Sequence, residues 1–404
     1  MNPIIDTAYG RHCIEDDDIE SVVKVLKSDY LSGGPVLEEF EGEFAKKLGV
    51  RFAVACSSGT AGLHMASLAM GLKMGCKVVV PTMTFLATAN APRFTGADVV
   101  FADVDRETGL MGPEHLEEAI NRAGDNVSAV FLVHMNGQAV DMRTISDICR
   151  RRGIKIVEDA CHALGGEYLD ESGTWHKVGS CSHSDIAVFS LHPVKSITMG
   201  EGGVVTTNDE KLYHAIRLLR NHGMTRDPHM FEDCEAAFDA HFTPNLWYYE
   251  MRDLGYNYRP SAINCALGLS QLKKLNRFII HRSELANKYD KFFTSKAPLI
   301  RPIPRLNYCK HSWHLYVVHI NYDRLGITRN DLTRRLQGKG VGSQVHYRPV
   351  HQQPYYRKKN DKLKLEGASA YYQSCLSLPI SPVIPFDKKE IHWLCVIDEI
   401  LNEY

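Results

Sequence analysis

Phe52-Ala53-Val54-Ala55-Cys56-Ser57-Ser58-Gly59-Thr60-Ala61 passes from five apolar residues through a turn of small ones into a helical pattern. A short apolar run closed by turn residues reads as a strand buried on both faces. The helix that follows is predicted over 60–73. The same alternation repeats along the chain. Strands are predicted at 77–81, 99–103, 129–133, 154–158, 185–190 and 203–207, and helices at 86–94, 113–123 and 143–152. Strands alternating with helices argue an α/β domain built on a mostly parallel sheet.

Beyond about residue 260 the texture changes. A long helix is predicted over 262–289, a strand over 313–321, and helices over 330–339 and 387–401. This is a smaller α+β unit, so the expected division is a large domain with an N-terminal arm over 1–260 and a small domain over 261–404. The basic, tyrosine-bearing stretch 354–364 is expected to be a surface loop.

Among the 404 residues, 47 Lys and Arg face 48 Asp and Glu, a net charge of −1. That balance excludes a whole-chain field drawing in nucleic acid or an anionic membrane. Met1-Asn2-Pro3-Ile4-Ile5-Asp6 lacks the basic-then-apolar order of a signal peptide. The uncharged stretch 78–92 contains Pro81 and Pro92 and is too short to span a bilayer. The 11 cysteines are scattered without a Cys-x-x-Cys pair, which reads as reduced thiols in a cytoplasmic protein.

Three places can carry chemistry. Small residues at Cys56 to Ala61 would let a phosphate approach the N–H groups at the start of a helix, although a plain strand–turn–helix connection reads the same way. Glu158 and Asp159 close an apolar strand, where open α/β sheets bind ligands, and capping of the following turn is the alternative. From Ile186 to Gly200 the only permanently charged residue is Lys195, between two apolar strands and beside Gly200, Gly202 and Gly203. Desolvation lowers an amine's pKa and makes it a nucleophile able to form a Schiff base. A phosphate turn, an Asp for a pyridinium nitrogen and a Schiff-base Lys are together what pyridoxal 5′-phosphate requires.

At these residues the sequence resembles the fold-type I, pyridoxal-phosphate-dependent sugar aminotransferases of the DegT/DnrJ/EryC1/StrS group. The resemblance runs from Tyr9-Gly10-Arg11 to the C-terminal helix, through Leu31 to Pro35, Ser57 to Leu63, Glu158 to Leu164, Ser190 to Gly203 and Gly255 to Gln271. His192-Pro193-Val194-Lys195, Val178 to Cys181, Trp247 to Glu250 and Val345-His346-Tyr347 resemble its pseudaminic acid subgroup. Ser196 and Met199 depart from that subgroup's usual Pro and Thr.

The resemblance implies roles residue by residue. Lys195 matches the Schiff-base lysine and Asp159 the partner of the pyridine nitrogen. Thr60 and Ala61 match the phosphate turn, and Ser190 a hydroxyl near the phosphate. Phe85 matches a ring that stacks on the cofactor, and His162 a Gln or His against it. Asn257 matches a residue reaching the phosphate of a neighbouring subunit, which implies a homodimer with shared active sites. His346 matches a position near the sugar nucleotide. No metal is implied: His311 and His314 lack a third ligand in the sequence.

The implied reaction moves an amino group from L-glutamate to C4 of a nucleotide-linked 4-keto-6-deoxy sugar, with a UDP-linked N-acetylated sugar expected first. Three rivals stand beside it. Dehydratase relatives replace the lysine, and Lys195 speaks against them. Aminotransferases for GDP- or dTDP-sugars, or of perosamine or bacillosamine type, are not separated by sequence. A non-catalytic sugar-nucleotide-binding relative would be expected to lose Lys195 or Asp159, and this chain keeps both.

Overall fold

The computed structural model describes residues 7–124, 126–384 and 392–402. The hexapeptide read for a signal sequence, and residues 387–391 of the last predicted helix, lie outside them.

Seven strands form the central sheet and are numbered here within it. They are β1 (Phe52–Cys56), β2 (Lys77–Pro81), β3 (Asp98–Ala102), β4 (Val127–Val133), β5 (Lys155–Asp159), β6 (Ile186–Ser190) and β7 (Gly203–Thr207). Their spatial order is β1-β7-β6-β5-β4-β2-β3. β2 pairs in parallel with β3 and β4, β4 with β5, and β5 with β6. β7 runs antiparallel to both its neighbours, β1 and β6. Six strands therefore point one way and one is reversed.

The strands read as continuous apolar runs because helices cover both faces. Val78, Val79, Val80, Ala129, Val130, Phe131 and Leu132 are fully buried. Helices Gly59–Ala69, Leu86–Phe94, Pro113–Ala123 and Met142–Arg151 connect the strands. Crossovers of this kind carry the chain back to the same edge, so the C-terminal ends of the parallel strands gather on one side.

A second sheet has the order Ile300–Pro302, Tyr316–Ile320, Cys375–Leu378. A separate apolar cluster holds Tyr289, Phe293, Tyr316 and Trp393 against it. The 33-residue helix Ala262–Thr294 feeds both clusters. It outruns its predicted end because Tyr289 and Phe293 are buried in the second.

Two expectations are corrected. The stretch 354–364 is not wholly a loop: Pro354–Asn360 is a short helix. Pro354 stands in its first turn, where a missing N–H costs nothing, and the Tyr356 hydroxyl anchors it on Asn90 Oδ1 at 2.7 Å. The strand predicted over 313–321 begins only at Tyr316. Ser312 N–H and Leu315 N–H donate instead to the carbonyls of Gly137 and Asn136, at 3.0 and 3.2 Å. That detour brings His314 to the site described next.

Candidate active site

A cavity of about 510 Å³ opens where β1, β2, β4, β5 and β6 end. Thr60, Phe85, Asp159, His162, Ser190, Lys195 and His346 all line it. Ala61 stands one step back, its N–H donating to Ser58 Oγ at 3.1 Å. Asn257 is exposed and bridges Asn221, away from the cavity.

Strand geometry sorts the two carboxylates of β5. Successive side chains point to opposite faces, so Glu158 and Asp159 diverge. Glu158 accepts from His134 Nε2 at 2.9 Å and from Gly179 N–H at 3.2 Å, with neither side chain exposed. It holds the fold together. Asp159 faces the cavity. Its Oδ2 accepts from Thr88 Oγ1 at 2.6 Å and its Oδ1 from Cys161 N–H at 3.2 Å. Thr88 in turn bonds Thr84 at 2.7 Å.

The helix starting at Gly59 aims its N-terminus into the cavity, with Ser58 as its cap. Its first N–H groups precede any intrahelical bond and carry the positive end of the dipole. A Cβ on Gly59 would stand 2.9 Å from Ser190 Cβ. Only glycine lets this turn press against the end of β6, which leaves Thr60 and Ser190 facing one space.

Lys195 sits on the turn after β6, its N–H bonded to the carbonyl of His192 at 2.9 Å. Burial pulls its amine below the ordinary lysine value, against the opposing pull of the Cys161 and Asp159 charges. Burial also drives the imidazoles down. His346 is pushed to about 3, by burial first and then by the charge of Lys195. His162 falls well below the usual value for the same two reasons, with His346 adding to them. All these rings are neutral near pH 7.

Several cavity residues were given no role from sequence. Thr84 lies just before helix Leu86–Phe94 and Thr88 in its first turn, and sequence did not show that their hydroxyls meet or that Thr88 holds the acid. Tyr347 OH meets His162 Nε2 at 3.2 Å, and Tyr9 packs against His346 with ring centroids 5.4 Å apart. His311 and His314 go separate ways. His311 stacks on Trp313 at 3.8 Å, whereas the ring of His314 lies 4.3 Å from that of His162. Among the described residues no three His, Cys, Asp or Glu side chains are placed to hold a metal ion.

The profile of the DegT/DnrJ/EryC1/StrS aminotransferase family matches residues 12–391. The chain belongs to that family. It is 37% identical over 372 residues to the UDP-4-amino-4,6-dideoxy-N-acetyl-beta-L-altrosamine transaminase of Campylobacter jejuni, covering 92% of this chain and 91% of that one. It is 36% identical over 382 residues to the spore coat polysaccharide biosynthesis protein SpsC of Bacillus subtilis, covering 94% and 93%. Its structure is similar to Helicobacter pylori PseC, an aminotransferase involved in the biosynthesis of pseudoaminic acid. The TM-score is 0.87 at 28% identity, over 98% of this chain and all of that one.

The chain is thus a fold-type I aminotransferase, and its cofactor is pyridoxal 5′-phosphate. The residues present fit that group. Asp159 is only 6% exposed, and its carboxylate is held by two neutral donors, Thr88 Oγ1 and the Cys161 N–H. A buried, unpaired carboxylate is costly unless a cation joins it, and a protonated ring nitrogen would supply one. The glycine-tight helix N-terminus suits a phosphate. Lys195 lines the same cavity.

Proposed function

We propose that this enzyme transfers the amino group of L-glutamate to C4 of a UDP-linked 4-keto-6-deoxy sugar. The substrate would be UDP-2-acetamido-2,6-dideoxy-β-L-arabino-hex-4-ulose and the product UDP-4-amino-4,6-dideoxy-N-acetyl-β-L-altrosamine. The observation that carries this reading is the 37% identity to the C. jejuni transaminase across nine-tenths of both chains, joined to a cavity that holds Lys195 and Asp159 together. The B. subtilis relative is as similar at 36%, which favours a second reading with another nucleotide sugar. Offering a panel of UDP-, GDP- and dTDP-linked 4-keto sugars with glutamate separates the two.

When bound, pyridoxal 5′-phosphate supplies a carbonyl that exchanges amino groups and a ring that draws electrons from the adjacent carbon. The chain does the rest. Asp159, held by Thr88 and the Cys161 N–H, keeps a negative charge where the ring nitrogen would carry its proton. The N-terminal turn at Thr60 and Ala61, with Ser190, would hold the phosphate. Phe85 and His162 would contact the ring, and His346 would orient the sugar nucleotide. Lys195 would hold the cofactor's carbonyl, and its amine, once free, would serve as the base and acid that move the proton at the substrate carbon. In the second half it runs the transfer in reverse. Such a group works best with a pKa near the working pH, and burial moves Lys195 in that direction.

The division into a cofactor domain over 1–260 and a small domain over 261–404 suits a site assembled from strand ends and from residues 345–347. Free thiols at all 11 cysteines suit a reducing compartment, and we place the enzyme in the cytoplasm. No helix among the described residues is long and apolar enough to cross a membrane.

The working unit is a homodimer in which Asn257 reaches the partner's cofactor phosphate. Its exposure outside its own cavity leaves it free to do so. Subunit mixing gives the expected outcome. Asn257→Ala subunits retain the cofactor weakly, and Lys195→Ala subunits are inactive. In a mixed dimer the site built on the normal Lys195 receives an intact Asn257 from the other subunit. Mixing two impaired parents should therefore restore about one full site of the two. If activity fails to rise when mixed dimers have formed, Asn257 serves its own chain.

A further inference from the structure

The cavity contains two side chains, Tyr347 and His314, that the reaction above does not use. His162 is approached on two sides. Tyr347 OH lies 3.2 Å from its Nε2, and the His314 ring is 4.3 Å away, tilted by 49°. Its backbone is also held, since Ser312 Oγ donates to the His162 carbonyl at 2.9 Å. His162 and His314 are 5% and 4% exposed. Each has a buried Nδ1 with no partner among the described residues.

The backbone that delivers His314 is unusual. Trp313 has φ +54° and Asn136 has φ +63°, left-handed values that residues other than glycine seldom adopt. Gly137 lies between, and a Cβ there would stand 2.5 Å from Ser312 Oγ and 3.0 Å from the His162 carbonyl. The buried Arg282 fixes the same turn, donating to the carbonyls of Trp313 and Ile380 at 3.0 and 3.2 Å. Such backbone conformations persist only where their surroundings over-determine them, and they collect at functional sites. Here they place one imidazole against another.

We infer that Tyr347 and His314 are positioning residues for His162. The Tyr347 hydroxyl fixes one ring nitrogen and the His314 ring fixes the plane, so that His162 meets the cofactor in a single orientation. The inference rests on the reading that His162 touches the cofactor. Burial holds all three groups in their neutral forms, raising Tyr347 and lowering His162 and His314. The titratable groups facing His162 are Lys195, Asp159, Cys161, His346, His314 and Tyr347.

The test uses the holoenzyme and two readouts other than turnover: the dissociation constant of the cofactor, and the pH midpoint of its bound absorption band. Tyr347→Phe removes one hydroxyl. His314→Leu removes the second ring, and His314→Phe returns a ring in its place. His162→Ala is measured beside them, with thermal melting to show which variants fold. The midpoint should move by about half a unit or more in Tyr347→Phe and His314→Leu, and in the same direction as in His162→Ala. Cofactor affinity should fall about five- to tenfold, with His314→Phe recovering part of the loss. If His162→Ala shifts the band while folded Tyr347→Phe and His314→Leu leave it at the wild-type midpoint, the positioning role is overturned. If His162→Ala itself leaves the band unmoved, the contact between His162 and the cofactor fails first.

Discussion

Lys195→Ala should lose transamination by at least about a thousandfold while the fold stays intact. The side chain both holds the cofactor covalently and carries the proton in each half-reaction, so one substitution removes two functions. The fold should survive because the turn is fixed by its backbone: Lys195 N–H bonds the carbonyl of His192, and Met199 N–H bonds that of Leu191. The purified variant should lack the visible absorption of a lysine-linked cofactor, and its melting temperature should stay close to that of the parent. Turnover at the parental rate would show that Lys195 is a buried lysine without a chemical task.

Asp159→Asn should lose about a hundredfold or more in the rate of the half-reaction with glutamate. The substitution keeps the shape and removes the charge. Oδ1 can still accept from Cys161 N–H, and the new amide would face Thr88. Thr88 can then accept from the amide and donate to Thr84, because either hydroxyl of that pair can be the donor. The local network therefore survives, and what goes is the negative charge that favours a protonated ring nitrogen. The loss should appear in single-turnover rates at saturating glutamate rather than in folding. Unchanged rates would mean that Asp159 only ties down the loop after β5.

Much of the fold was legible because the strands are buried on both faces. The bounds 77–81, 86–94, 113–123 and 203–207 are those observed. Length and apolarity decide such elements locally. Helices Asp16–Leu26, Pro35–Leu48 and Glu210–Arg220 went unread, although at 11, 14 and 11 residues they are as long as those that were read. Their place depends on contacts remote in sequence. Lys274 of the long helix, for example, bonds Asp18 of the first helix at 2.7 Å, and Asp18 is fully buried.

The candidate site divided along the same line. Lys195 stood out as a lone charge in an apolar stretch, and Asp159 as an acid at a strand end. Residue pattern alone did not separate Asp159 from Glu158, which the family resemblance did; the partner of Glu158, His134, is 24 residues away and visible only once β4 and β5 are side by side. Nor could sequence bring His314 to His162, because that meeting depends on two left-handed residues and a glycine. Asn257 was read through a family resemblance, and its exposure in a single chain leaves its role to the subunit-mixing experiment.

The central claim is amino transfer to C4 of a nucleotide-linked 4-keto sugar. Its most direct test is mass spectrometry of the nucleotide sugar after incubation of the holoenzyme with ¹⁵N-labelled L-glutamate and UDP-2-acetamido-2,6-dideoxy-β-L-arabino-hex-4-ulose. The account predicts a UDP-sugar carrying ¹⁵N at C4, formed one for one with 2-oxoglutarate and absent with Lys195→Ala. A keto sugar recovered without label, from holoenzyme that has demonstrably bound its cofactor, would contradict it.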